Sequence, residues 1–71
     1  MEIRKMNFSK EFESLLKQYG YTQSAFAQKV GTTQATVNRW IRGVNQPDYE
    51  TLFLICEILD TTPNEILGWD D

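Results

Sequence analysis

The fold is decided by residues 23–43, which read QSAFAQKVGTTQATVNRWIRG. Apolar side chains recur at helical spacing on both sides of one glycine, Gly31. Two helices joined by a turn of about three residues cannot lie antiparallel, and they cross steeply instead. The stretch therefore predicts a pair of crossed helices, of which the second presents polar side chains outward.

The composition is that of an ordinary globular domain. Hydrophobic residues make up 41% of the 71-residue chain, which excludes a disordered class. The longest apolar run, residues 52–56, is too short to cross a bilayer, and no signal peptide is recognisable. A single cysteine, Cys56, cannot form an internal disulfide. We therefore expect a soluble, cytoplasmic protein.

Charge is distributed unevenly along the chain. The net charge is −3, yet residues 14–47 contain no Asp or Glu. Residues 48–71 hold seven acids and no base. A polyanion responds to the local field of the face it meets, so the acid-free segment favours an anionic partner despite the net charge. The bases in that segment are Lys17, Lys29, Arg39 and Arg42.

Start and stop signals predict five helices and no strand, an all-α domain. Ser, Thr, Asp and Asn cap helix starts, and glycine supplies the left-handed residue that ends them. We expect the domain to cover residues 7–71 and residues 1–6 to be a mobile N-terminal segment. The predicted caps are Asn7, Thr22, Thr33, Asp48 and Thr62, and the predicted stops include Gly20, Gly31 and Gly43.

Helical spacing also predicts which side chains face the core. Ala27 should be small because the two crossed helices approach each other there, and Gly31 should need a positive φ. Cys56 is expected to be a small buried hydrophobe. The first helix is expected to carry the apolar residues Phe8, Phe12, Leu15, Leu16 and Tyr19, and the fourth Leu52, Phe53, Ile55, Cys56 and Leu59. The predicted inward residues are Phe26, Ala27 and Val30 of the second helix, Val37, Trp40 and Ile41 of the third, and Ile66 and Leu67 of the last.

The opposite face of the third helix suits the major groove of DNA. Glutamine can bond an adenine edge in bidentate fashion, arginine can do the same with guanine, and small side chains can meet a thymine methyl. Gln23 lies in the first turn of the second helix, where free N–H groups attract a phosphate. Arg42 and the amides of residues 44–46 could contact the backbone on the far side. The outward set is Gln34, Ala35, Asn38, Arg39 and Arg42, with the Thr33 methyl beside it.

From Phe12 to Trp69 the sequence resembles the Xre/Cro family of phage-repressor-type helix-turn-helix domains. The carrying residues are Gln23, Ala27, Gly31, Val37 and Trp40, followed by Arg42, Gly43 and Pro47, and AQKVGTTQ at residues 27–34 is particularly like a lambdoid phage repressor.

The resemblance implies a compact five-helix, lambda-repressor-like domain with the helix-turn-helix at helices two and three. It implies a phage or mobile-element regulator, a homodimer on a palindromic double-stranded DNA operator. By the same resemblance Thr33, Gln34, Ala35 and Arg39 would face bases, as would Asn38 from the outward set. Thr22, Gln23 and Arg42 would face phosphates, with Asn45 in the loop, while Ala27, Gly31, Val37 and Trp40 would be structural.

The chain departs from the family pattern at three places. Many members pair an arginine with a glutamate where this chain has Leu16 and Ile41. Because both charged residues are replaced by apolar ones, no unpaired charge is left in the core. Asp60 stands where glycine is common, although it tolerates the left-handed region less well. Residues 44–46 are uncharged, so binding to phosphates should be weaker than in family members that carry lysines in this loop.

We expect the protein to be a DNA-binding repressor, and the sequence bears on two other classes of protein, enzymes and protein-interaction modules. No histidine, metal-ligand set, nucleophile–base pair or phosphate loop is present in the sequence, so we expect no enzyme, cofactor or metal. A protein-interaction module on the same fold, such as an antitoxin or adaptor subunit, is the alternative. Trp69 either closes the monomer core or lies at a dimer interface formed by the C-terminal helix.

Overall fold

The computed structural model describes residues 8–68. Over this range α-helix is the only regular secondary structure, which confirms the all-α prediction. Asn7, Trp69 and the N-terminal segment 1–6 lie outside the described residues. The helices are α1 (Phe8–Gln18), α2 (Gln23–Val30), α3 (Gln34–Arg42), α4 (Tyr49–Ile58) and α5 (Pro63–Ile66).

The helices begin where the side-chain caps predict. In each of α2 to α5 the cap residue has extended backbone, and its side-chain oxygen accepts a hydrogen bond from the amide three residues later. Each bond satisfies one of the N–H groups that a helix start leaves without an intrahelical partner. The confirmed caps are Thr22, Thr33, Asp48 and Thr62, with donor–acceptor distances of 3.0, 3.2, 2.9 and 3.2 Å.

The helix ends also follow the predicted glycines, with one exception. Gly31 and Gly43 have φ of 79° and 76°, and their amides return to carbonyls of α2 and α3. After α4 the equivalent position is Asp60, whose φ is 50°. An L-residue pays a conformational cost in this region that glycine avoids. The end of α4 is therefore the one strained helix end among the described residues.

Phe12 lies at the centre of the core. Its ring stacks on Phe8 at a centroid distance of 5.1 Å and meets Phe26 and Trp40 edge-on at 5.3 and 5.9 Å. Such aromatic pairs add to the free energy gained from burial alone. One ring thus joins α1, α2 and α3. The buried residues of the described range are Phe8, Phe12, Leu16, Phe26, Ala27, Val37, Trp40, Leu52, Ile55, Cys56, Leu59 and Ile66.

Two of the apolar residues expected on the first and fourth helices lie outside the core. Phe53 is 55% exposed and Tyr19 is 46% exposed. Tyr19 follows the last residue of α1, Gln18, and its amide still bonds the Leu15 carbonyl oxygen at 3.0 Å, so the end of the helix does not by itself explain the exposure. Phe53 follows Leu52 directly, which turns it about 100° away from the buried side of α4. The remaining predicted inward residues are buried or pack partly buried against the core.

The apolar replacements at Leu16 and Ile41 fit this core. Leu16 is buried, and Ile41 packs against the buried cluster. No polar or charged residue is buried between residues 8 and 68. The core therefore excludes charge altogether, and the absence of the family's ion pair leaves no group stranded.

Cys56 is buried, as predicted. Burial raises the pKa of its thiol, and the charge of Glu65 adds to the effect. A thiol held in its protonated form packs as a small hydrophobe. Within the described residues no helix is both long and apolar enough to cross a membrane.

Candidate nucleic-acid interface

The outward face of α3 is formed as the sequence predicts. Val37 and Trp40 are buried in the core, which turns the opposite side of the helix to solvent. On that side Ala35, Arg39 and Arg42 are exposed and lie three or four residues apart, so they form one stripe. Exposed Gln34 and half-buried Asn38 border the stripe. The structure thus brings together the outward set proposed for base contact.

Thr33 precedes this stripe as the cap of α3. Its side-chain oxygen accepts from the Thr36 amide at 3.2 Å and shares a second hydrogen bond with the Thr36 hydroxyl at 3.0 Å. The Thr33 hydroxyl is therefore committed to starting the helix. Its methyl remains for apolar contact.

Thr22 and Gln23 lie together at the start of α2. The Thr22 side-chain oxygen accepts from the Ala25 amide at 3.0 Å. A hydroxyl that accepts in this way keeps its own hydrogen to donate. Gln23, half-buried, occupies the first helical position, where the helix dipole is positive. These groups together offer donors to an anion.

The loop after α3 departs from expectation. The amides of Val44 and Asn45 lie 2.9 and 3.5 Å from the Arg39 carbonyl oxygen, so they close the end of α3. The Val44 amide is therefore used by the helix end, and the contact of the Asn45 and Gln46 amides with a phosphate stays a prediction. The Asn45 side chain is exposed and remains a candidate contact, as does exposed Arg42.

The crossing of α2 and α3 explains the residues predicted to be structural. Ala27 is buried in the core, and its carbonyl accepts from the Thr32 amide at 2.9 Å. A β-carbon on Gly31 would meet nothing within 4 Å. Glycine is therefore required at Gly31 for its positive φ and not for space.

Comparison with known proteins places this arrangement in a family. Residues 12–66 match the family described as Helix-turn-helix. The chain belongs to that helix-turn-helix family. The Xre/Cro resemblance read from the sequence is thereby confirmed.

Proteins similar to this chain in sequence or in fold include transcriptional regulators and a repressor. The chain is 35% identical over 84% of its length to an uncharacterized HTH-type transcriptional regulator, YqaE, of Bacillus subtilis, and spans 52% of that relative. Its structure superposes on a transcriptional regulator from Listeria innocua with a TM-score of 0.90 at 20% identity, covering 96% of this chain and 64% of that one. It superposes on the P22 c2 repressor, in complex with synthetic operator 9T, with a TM-score of 0.83 at 20% identity, covering 96% and 100%. At this identity the two structures establish the fold.

One contact that positions the helix-turn-helix was missed by the sequence reasoning. The Ser9 hydroxyl donates to the Trp40 carbonyl oxygen at 2.7 Å and so ties α1 to the last turn of α3. A β-carbon on Gly43 would lie 3.3 Å from the same Ser9 oxygen. The partners are far apart in the chain, and a serine on α1 carries no sequence signal of the contact.

Proposed function

We propose that this chain is the DNA-binding part of a transcriptional repressor, which reads double-stranded DNA with α3 in the major groove. The observation that carries the proposal is the exposed outward stripe of α3 on a helix-turn-helix frame. The stripe lies in a segment, residues 14–47, without a single acid. A groove lined with phosphates therefore meets no repulsive carboxylate from this segment.

The outward side chains match base edges in chemistry. Gln34 and Asn38 can each pair with adenine, and Arg39 with guanine, in bidentate fashion. Ala35 and the Thr33 methyl offer apolar contact to a thymine methyl. Each good bidentate pair contributes about 1–3 kcal/mol of discrimination between bases. We propose that these five residues set the sequence preference.

Phosphate contacts would flank the base contacts on both sides. Thr22 and Gln23 offer a hydroxyl, an amide and the positive end of α2 to one strand. Arg42 and Asn45 would contact the other strand from the far end of α3. Because few of these groups are charged, we expect a shallow salt dependence, each neutralised phosphate adding about 0.9 to the slope.

The modest contact set of one copy supports a dimeric regulator. Two copies on a palindromic operator would double every contact without adding charge to either. The P22 c2 repressor, which shares the fold of this chain, forms a complex with a synthetic operator, and this supports DNA as the partner. We propose that α5 and the chain after it, with Trp69, contribute the interface, and that the homodimer acts in the cytoplasm.

Selection from a random DNA pool tests the function. We expect an enriched motif with two half-sites about one helical turn apart, or a single half-site if the chain acts as a monomer. Fluorescence anisotropy at a stated salt concentration would then compare the wild type with Arg39→Ala and Gln34→Ala. If no selected sequence competes better than bulk DNA, the proposal fails.

A further inference from the structure

α4 carries apolar side chains on both of its sides. Leu52, Ile55 and Cys56 are buried in the core. Tyr49, Phe53 and Leu54 are 82%, 55% and 38% exposed. Contiguous exposed apolar side chains rimmed by polar residues mark an interaction site. The core explains the inner side of α4, whereas on the outer side Tyr49 and Phe53 are mostly uncovered by the described residues.

The outer residues form a continuous surface. Tyr49 and Phe53 are four residues apart and therefore stack along one stripe of the helix. Leu54 lies beside them. Two exposed acids share the same arc, Glu57 one turn after Phe53 and Glu50 one turn before Leu54. We call these five residues the outer α4 surface.

The charge around this surface limits what can cover it. The acids of the surface are Glu50 and Glu57, both exposed, and none of its five residues is basic. DNA fits such a surface poorly, because the two carboxylates repel phosphates. A symmetric contact through this surface would bring Glu50 and Glu57 of both copies into one interface, and the surface offers them no counter-charge. A covering segment must therefore bring both apolar groups and positive charge.

We propose that the outer α4 surface binds a basic amphipathic segment of a partner protein. Apolar side chains of the partner pack on Phe53 and Leu54, and its lysines or arginines pair with Glu50 and Glu57. The Tyr49 ring, almost wholly in solvent, offers a face on which an arginine stacks. Exposed aromatic residues at the centre of a patch are the usual anchors of protein interfaces. The surface is separate from the outward stripe of α3, so the inference does not rest on DNA binding.

Selection from a displayed random peptide library, with peptides of about four helical turns, tests the proposal. The 71-residue chain is the target. We expect the recovered peptides to be rich in lysine and arginine, with apolar residues at helical spacing. Anisotropy with a recovered peptide should show at least about tenfold weaker binding to Phe53→Ser and to Tyr49→Ser. Glu57→Gln should weaken binding less and reduce its salt dependence.

Two controls distinguish a loss of peptide binding from a loss of folding or from binding at another surface. Circular dichroism melting shows whether Phe53→Ser folds, and Tyr49→Ser, at an almost fully exposed position, gives an independent measurement. Arg39→Ala should bind the peptide as the wild type does. Neutral or acidic recovered peptides, or binding lost with Arg39→Ala and kept with Tyr49→Ser, would overturn the proposal. So would sedimentation data in which Tyr49→Ser and Phe53→Ser abolish self-association, because the occupant would then be a second copy.

Discussion

α3 and α4 contribute to the same core with the same spacing and differ completely on the outside. Val37, Trp40 and Ile41 of α3 pack inward or against the core, as do Leu52, Ile55 and Cys56 of α4 at identical intervals. The outward positions also correspond one to one. In α3 they are Gln34, Ala35, Asn38, Arg39 and Arg42, and in α4 they are Tyr49, Glu50, Phe53, Leu54 and Glu57.

The inward residues of α3 and α4 are determined by the fold, whereas their outward residues are determined by function. The interior accepts only apolar groups that fill its volume, so both helices carry the same inward pattern. Substitutions at solvent-exposed positions change the free energy of unfolding little, so the outward residues can vary with the partner. One outward face is polar and basic, whereas the other is apolar and acidic. Their partners should therefore differ in chemistry.

The largest effects are expected on the shared inward face. Trp40→Ala removes a buried ring that packs on Phe12, and Ile55→Ala empties a fully buried site. We expect losses of about 3–5 and 2–5 kcal/mol in the free energy of unfolding, measured by urea denaturation. A domain this small has a total stability of that order, so both variants should be largely unfolded near physiological temperature. Loss of stability in only one would show that the two inward faces are not equivalent.

Replacing equivalent outward residues should separate the two faces. Arg39→Ala is expected to weaken binding to the selected DNA by about 1–3 kcal/mol, because a bidentate base contact is lost. Leu54→Ala, at the corresponding position of α4, should leave DNA binding unchanged. Arg39→Ala should keep its stability within about 0.5 kcal/mol of the wild type, and Leu54→Ala, which removes a partly covered side chain, should lose about 1 kcal/mol. Equal DNA affinities of the two variants would contradict the proposal that α3 contacts the bases.

The two helices also end differently, which predicts changes of opposite sign. Gly43→Ala puts an L-residue at φ 76° and its β-carbon 3.3 Å from the Ser9 oxygen, so we expect a loss of about 1–2 kcal/mol. Asp60→Gly relieves a positive φ at the end of α4 and should raise stability by up to about 1 kcal/mol. Thermal denaturation followed by circular dichroism measures both. A destabilised Asp60→Gly would mean that the aspartate side chain stabilises this turn.

The same comparison explains what the sequence could predict. On α3 the outward residues are polar, so the helical period separates the two faces unambiguously. On α4 apolar residues occur on both sides, and the period alone could not tell that Leu52 is buried and Phe53 exposed. Caps and glycine stops were predictable because they are local. The Ser9–Trp40 contact and the use of the Val44 amide were not, since each depends on where the folded chain brings its backbone.

The smallest difference is expected between the two N-caps. Thr33 caps α3 without charge, whereas Asp48 caps α4 with a carboxylate that accepts from the Thr51 amide at 2.9 Å. Hydrogen bonds from Thr51, first its side chain and then its amide, lower the pKa of Asp48. The folded state therefore favours the ionised form. Its contribution is present above the ordinary carboxyl pKa, near pH 4, and is lost as pH falls through the lowered value.

Urea denaturation of the wild type, Thr33→Ala and Asp48→Ala over a series of pH values tests this difference. The loss of stability caused by Asp48→Ala should be constant from neutral pH down to about pH 4 and should shrink below it, because the wild-type carboxylate is then protonated. The loss caused by Thr33→Ala, about 1 kcal/mol as for other threonine caps, should not change with pH. Parallel pH profiles for the two variants would show that the charge of Asp48 adds nothing to its role as a cap.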